Sequence, residues 1–192
     1  MPHTYANTMF SAPVRQLQER HGSRSQYERM ARSGAAEQSL GRDESEFIAA
    51  RDSFYLATVT PDGWPYVQHR GGPMGFLKVL DPHTLAFAEY SGNKQYISAG
   101  NLAVNDRVSL FLMDYPNRTR LKIIGHAKLV EPGADPAFET RIRIKELRAR
   151  VERSLVLTVV GFDWNCSQHI TPRYSREEMA EILPELGDAL GQ

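Results

Sequence analysis

From Phe54 onward the chain falls into short apolar stretches separated by turn residues. The stretch Phe54–Thr60 (FYLATVT) is rich in aromatic and β-branched residues, which fit a pleated surface. Pro61-Asp62-Gly63 marks a turn, and Pro65–Arg70 (PYVQHR) follows as a partner strand, so 54–70 reads as a hairpin. Gly75–Asp81 and Thr84–Tyr90 form two further strands around Asp81-Pro82-His83. Arg107–Tyr115 and Thr119–Glu131 flank the turn Pro116-Asn117-Arg118, and Ser154–Trp164 is the last strong strand. Helical spacing appears over 94–104, over 136–150 and over 177–190. Before Phe54 the pattern is polar and weakly helical: a segment opening near Pro13, another over 24–32, and a short one over 44–51 carrying Phe47 and Ile48.

This order predicts a mainly β fold with peripheral helices. About seven strands joined mostly by short turns imply an antiparallel sheet, and closing it into a barrel removes exposed edges. The expected organisation is an N-terminal helical extension over 1–46, a barrel domain over 47–174 and a C-terminal helix over 175–192.

Composition narrows the function. The chain has 192 residues, and 23 Lys and Arg balance 23 Asp and Glu. A zero net charge argues against nucleic acid as a partner but allows a local anion site. The lone cysteine, Cys166, cannot form an internal disulfide, and no apolar run is long enough to cross a bilayer. A cytoplasmic location is the expectation, with no membrane partner.

Four stretches could carry chemistry. In Gln68-His69-Arg70-Gly71-Gly72 a guanidinium ends a strand and glycines follow, which suits close approach to an anion or simply a flexible turn. In Glu89-Tyr90-Ser91-Gly92-Asn93-Lys94-Gln95 a strand runs into a helix. Lys94 opposes the helix dipole there, so it either meets an anion or is solvated beside a capping Asn93. Arg118, Arg120 and Lys122 alternate onto one side of a strand. The segment after the last strand collects Asn165, Cys166, Gln168, His169 and Arg173. The carboxamides there could read a heterocycle edge, and Cys166 reads better as a small buried side chain than as a nucleophile for His169. Asn101 reads as a turn or capping group. No dinucleotide fingerprint, P-loop or nucleophile elbow is present.

Taken in order, the motifs resemble one family. A strand with its Asp-Gly turn leads into Pro65-Tyr66-Val67-Gln68-His69-Arg70-Gly71-Gly72. Then come Gly92-Asn93-Lys94 at a helix, Asn105-Asp106-Arg107-Val108 before a strand, Thr119–Ala127, and Asn165–Ile170. Together they are similar to the pyridoxamine 5'-phosphate oxidase-like, FMN-binding split-barrel proteins, in particular the flavin-nucleotide-binding branch. The resemblance spans roughly 47–174. It implies a split β-barrel homodimer with FMN at the subunit interface. Arg70 and Lys94 would hold the phosphate, and Tyr90 and Asn93 would flank it. Gln68, His69 and Gly71 would line the flavin, with Asn165, Gln168 and Arg173 coming from the C-terminal segment, across the dimer or within one protomer. A backbone N–H or Lys122 would face the flavin's pyrimidine edge. The expected activity is FMN-dependent oxidoreduction of a small molecule with a separate electron donor. Alternatives are a non-catalytic flavin-binding or sensing module, a haem protein using His69 or His169, and a deazaflavin reductase. One departure matters: the oxidase motif Tyr-x-Ser-Arg-Lys is here Tyr90-Ser91-Gly92-Asn93-Lys94, and the oxidase's C-terminal substrate motif has no counterpart. FMN binding is therefore better supported than oxidation of a B6 vitamer.

Overall fold

The computed structural model describes residues 4–33, 39–144, 150–164 and 167–183. Seven strands form one antiparallel sheet: β1 (Ser53–Val59), β2 (Pro65–Gly71), β3 (Lys78–Asp81), β4 (Thr84–Tyr90), β5 (Arg107–Asp114), β6 (Thr119–Val130) and β7 (Val151–Trp164). Their order is β2-β1-β5-β6-β7-β4-β3, so β2 and β3 are the free edges. The sheet is a split barrel, mainly β with helices on its periphery.

The core follows from alternation. Phe54 and Leu56 on β1, Leu110 and Leu112 on β5, Leu121 and Ile123 on β6, and Leu155 and Leu157 on β7 all point inward and are buried. Each such side chain contributes about 1.5–3 kcal/mol through burial. The seam between the β2 side and the β4 side has no backbone ladder and is held by side chains instead. Phe54 meets Phe87 edge-on at 5.4 Å and stacks on Phe76 at 5.5 Å. Arg70 on β2 pairs with Glu89 on β4 at 2.7 Å.

Four helices precede the sheet: α1 (Tyr5–Met9), α2 (Ala12–Arg20), α3 (Arg24–Ser33) and α4 (Arg42–Ala49). The sequence pattern did not signal α1, which packs against β7 and sets the Tyr5 ring 5.0 Å from the Lys122 ammonium. α4 docks through fully buried Ile48 and through Phe47, whose ring meets Trp164 at 4.8 Å, while the Trp164 indole N–H donates to Glu44 at 2.8 Å.

The later helices are shorter than the pattern predicts. α5 covers Ile97–Leu102 rather than 94–104, because Lys94 and Tyr96 take left-handed backbone (φ 59° and 53°) that cannot continue a helix. α6 covers Pro136–Ile142, and 145–149 of the expected helix lie outside the described residues. α7 covers Arg176–Ile182, with 184–190 likewise outside. No described helix is long and apolar enough to cross a membrane.

α5 is tethered to the barrel by two side-chain hydrogen bonds. Asn101 donates to Thr58 at 2.9 Å, both groups being buried, and Ser98 donates to Gln68 at 2.9 Å. Asn101 is thus a structural clamp. Thr58→Val is expected to leave its amide unpaired and cost about 1–3 kcal/mol, read as a lower urea midpoint. An unchanged midpoint would show that α5 is held by other means.

Candidate functional site: a cleft at the barrel seam

The seam opens into a cleft of about 310 Å³, walled by β2, the end of β4, the loop 91–96 and the start of α5. Its position follows from the strand register. Phe54 pairs with Arg70 and Leu56 with Gln68, so both β2 polar side chains share the inward face of β1's core residues. Their neighbours Pro65, Val67, His69 and Gly71 face outward and are exposed. Across the seam Glu89 pairs with Arg153 of β7.

The floor is a chain of charges. Glu89, with a side chain 11% exposed, accepts from Arg70 at 2.7 Å and lies 3.8 Å from Arg153. Arg153 also lies 3.5 Å from Glu152 and stacks over the Tyr96 ring at 4.8 Å, and the Tyr96 hydroxyl donates to Glu152 at 3.3 Å. The Nε donors of Arg70 and Arg153 are buried without a hydrogen-bond partner, as are those of Arg51 and Arg120 away from this cleft, and Arg153 Nε lies 3.8 Å from Glu89. Buried unpaired donors are uncommon because each costs free energy. Lys94 stands exposed at the rim, and Asn93 closes the loop by accepting from the Gln95 N–H at 3.2 Å.

The fold brings together Gln68, Arg70, Tyr90, Asn93 and Lys94. Tyr90 lines the cleft, but its hydroxyl is committed elsewhere and accepts from the Ile144 N–H at 3.2 Å. Other expected site residues lie away from this cleft. His69 is on the outer face of β2, its ring 5.7 Å from Tyr55, and Gly71 shares that face. Lys122 reaches the same outer face through the register Tyr55–Phe111–Lys122 and pairs with Asp163 at 2.7 Å. Burial would lower the Lys122 ammonium, but the hydrogen bond and charge of Asp163 outweigh it, so its pKa is raised. The Arg173 guanidinium lies 5.1 Å over the Tyr115 ring. The neighbouring Tyr115 phenol, with burial, raises the pKa of Tyr55 above its ordinary value, and the Arg173 charge opposes this. Gln168 is exposed beyond the end of β7, and Asn165 and Cys166 lie outside the described residues.

Sequence reasoning placed Glu89 in the candidate stretch 89–95 but missed Tyr96, Ser98, Glu152 and Arg153 as parts of this wall. The β4–β7 register, which sets Glu89 opposite Arg153, places Glu152 and Arg153 here, and the start of α5 brings in Tyr96 and Ser98. Among the described residues no cluster of His, Cys, Asp or Glu is arranged to hold a metal.

Comparison with known proteins agrees with this architecture. A family profile described as pyridoxamine 5'-phosphate oxidase matches residues 42–162. HupZ from Group A Streptococcus superposes with a TM-score of 0.50 at 15% identity, over 70% of this chain and 99% of that one. A conserved hypothetical protein from Mycobacterium tuberculosis gives 0.50 at 18% identity, over 73% and 94%. A putative pyridoxamine 5'-phosphate oxidase from Lactobacillus delbrueckii gives 0.49 at 24% identity, over 64% and 91%. At these identities the likeness is one of fold. No curated protein sequence matches the chain. The family profile spans all but the tip of the sheet, from α4 into the last residues of β7, and the chain belongs to the pyridoxamine 5'-phosphate oxidase family.

Proposed function

We propose that the seam cleft holds the phosphate of flavin mononucleotide and that the protein is an FMN-dependent oxidoreductase for a small molecule. The observation that carries this reading is the buried, unpartnered Nε of Arg70 beside the exposed ammonium of Lys94. One edge of the Arg70 guanidinium is held by Glu89 at 2.7 Å, which leaves its other N–H groups for a further acceptor. An anion completes that donor set, and a guanidinium with an ammonium is a usual phosphate grip. The carboxamide of Gln68, held by Ser98, adds a polar group for the ribityl chain. Among the described residues the cleft's lining includes Arg70 and Lys94 and no histidine, which favours a phosphate ligand there over haem. When bound, the flavin supplies the redox chemistry, and the chain's residues bind and orient it.

The reading includes a homodimer, which the two faces of β2 support. Gln68 and Arg70 face the cleft, whereas His69, Lys122 and Arg173 belong to the outer side. One protomer does not present both sets to one ligand. Two copies do, with the outer face of one closing over the cleft of its partner and contributing Lys122, Gln168 and Arg173. Substrate and electron donor would enter at that junction.

Fluorescence titration of flavin-free protein tests the phosphate grip. Arg70→Ala and Lys94→Gly are each expected to weaken FMN binding by about 1.5–3 kcal/mol. Lys94→Gly is the cleaner variant, because glycine adopts the left-handed backbone at this position without steric strain. Its thermal midpoint without ligand should therefore not fall. Unchanged FMN affinity in both variants would remove the assignment.

A further inference from the structure

The ladder between β4 and β7 serves two sides of the protein. Glu89, opposite Arg153, lines the seam cleft, whereas the adjacent pair, Ala88 and Ser154, lines a different pocket beneath α6. Alternation along the strands turns such neighbours to opposite faces. Ala88 and Ser154 are both small, both buried and directly opposite each other. The sheet surface is therefore low where α6 packs on β4, and a pocket of about 370 Å³ lies between them. Ile142 at the end of α6 and Val151 at the start of β7 complete an apolar floor.

The wall of this pocket is charged. Arg143 and Arg150 line it, and both are exposed. The backbone beside each is pinned. The Ile144 N–H donates to the Tyr90 hydroxyl at 3.2 Å, and the Arg150 carbonyl accepts from the Ser91 N–H at 3.3 Å. Neither guanidinium makes an ion pair among the described residues. The carboxylate in the lining, Glu139, already accepts from the Gly133 N–H. Two guanidiniums against one carboxylate leave the lining net cationic.

We infer that the α6 pocket binds a small organic anion, an apolar body of aromatic-ring size bearing a carboxylate or phosphate head. The body would cover Ala88, Ile142 and Val151, and the head would meet Arg143 and Arg150, whose forked donors match either acid. Pockets of this size with an apolar floor and a few convergent polar groups are ordinary for such ligands. A bare anion gains nothing from the floor, a neutral apolar molecule leaves the guanidiniums unused, and an organic cation is repelled. No lining residue is common to this pocket and the seam cleft, so the inference stands apart from the flavin reading.

Calorimetric titration with phenyl phosphate, benzoate, inorganic phosphate and benzyl alcohol tests it. At least one of the two ring-bearing anions is expected to bind about tenfold tighter than inorganic phosphate and benzyl alcohol, and the tighter of them identifies the head group. The double variant R143Q/R150Q should abolish that preference with its thermal midpoint unchanged, since both side chains are exposed. Lys94→Gly, which alters the seam cleft, should retain it. Ring-bearing anions that bind no tighter than inorganic phosphate would overturn the site. So would a preference that survives R143Q/R150Q, or one that is lost in Lys94→Gly.

Discussion

Gly125→Ala is expected to destabilise the protein by about 3 kcal/mol, the upper range for an overpacked interior. Gly125 lies on β6 where the β6–β7 register shifts, the partner advancing from Gly161 to Val159 across one step. A Cβ there would sit 2.2 Å from the Thr158 carbonyl oxygen and 2.7 Å from Leu157 Cδ1. The carbonyl is backbone in a central strand, so it cannot swing aside as a side-chain tip could. Relief requires β6 and β7 to separate, and these strands carry the buried Leu121, Ile123, Leu155 and Leu157. Gly100→Ala is the control, since a Cβ at that helical position meets nothing within 4 Å. It should be neutral or stabilise by about 0.5–1 kcal/mol. Urea unfolding of both variants decides the matter, and a Gly125→Ala midpoint equal to wild type would show that β6 and β7 are not this tightly apposed.

Glu89→Ala is expected to cost about 3 kcal/mol and to change how the protein responds to anions. The Glu89 carboxylate lies between two guanidiniums, and all three side chains are largely buried. Removing it leaves Arg70 without a counter-charge, and Arg153 with only Glu152 at 3.5 Å, at a seam that has no backbone ladder. Breaking one member of such a set is costly because the partners stay buried and unpaired. Added phosphate should recover part of the lost thermal midpoint in Glu89→Ala, and more than it raises the midpoint of wild type, because the anion replaces the missing counter-charge. A midpoint insensitive to phosphate in the variant would mean that the cleft does not attract anions.

Much of this architecture was readable from local pattern. Each strand announced itself because it buries one face and is bounded by Gly, Pro, Asn or Asp. The family resemblance, rather than local pattern, implied that Arg70 and Lys94, 24 positions apart in sequence, hold one phosphate, and the fold sets both on one cleft. Other features depend on register and were not legible. His69 and Arg70 are adjacent in sequence, yet period-two alternation turns them to opposite faces of β2. Glu89 and Arg153 are remote in sequence and meet only because β4 pairs with β7. The strand endings blurred for a related reason. Left-handed backbone at Lys94 and Tyr96 delays α5, and nothing in a lysine or tyrosine side chain signals that conformation. Helix α1 escaped notice because its five residues carry no apolar stripe, and its ordering comes from a buried Ala6 and the Thr4 cap on the Asn7 N–H.

The central claim is that the barrel seam grips a flavin's phosphate. A crystal structure of the protein with bound FMN tests it most directly. The account requires the phosphate oxygens to lie within hydrogen-bond reach of Arg70 Nε and Lys94 Nζ, with the ring system emerging toward a second protomer. A phosphate seated on the outer face beside Lys122 and Arg173 of the same protomer, with Arg70 Nε still unpartnered, would contradict it.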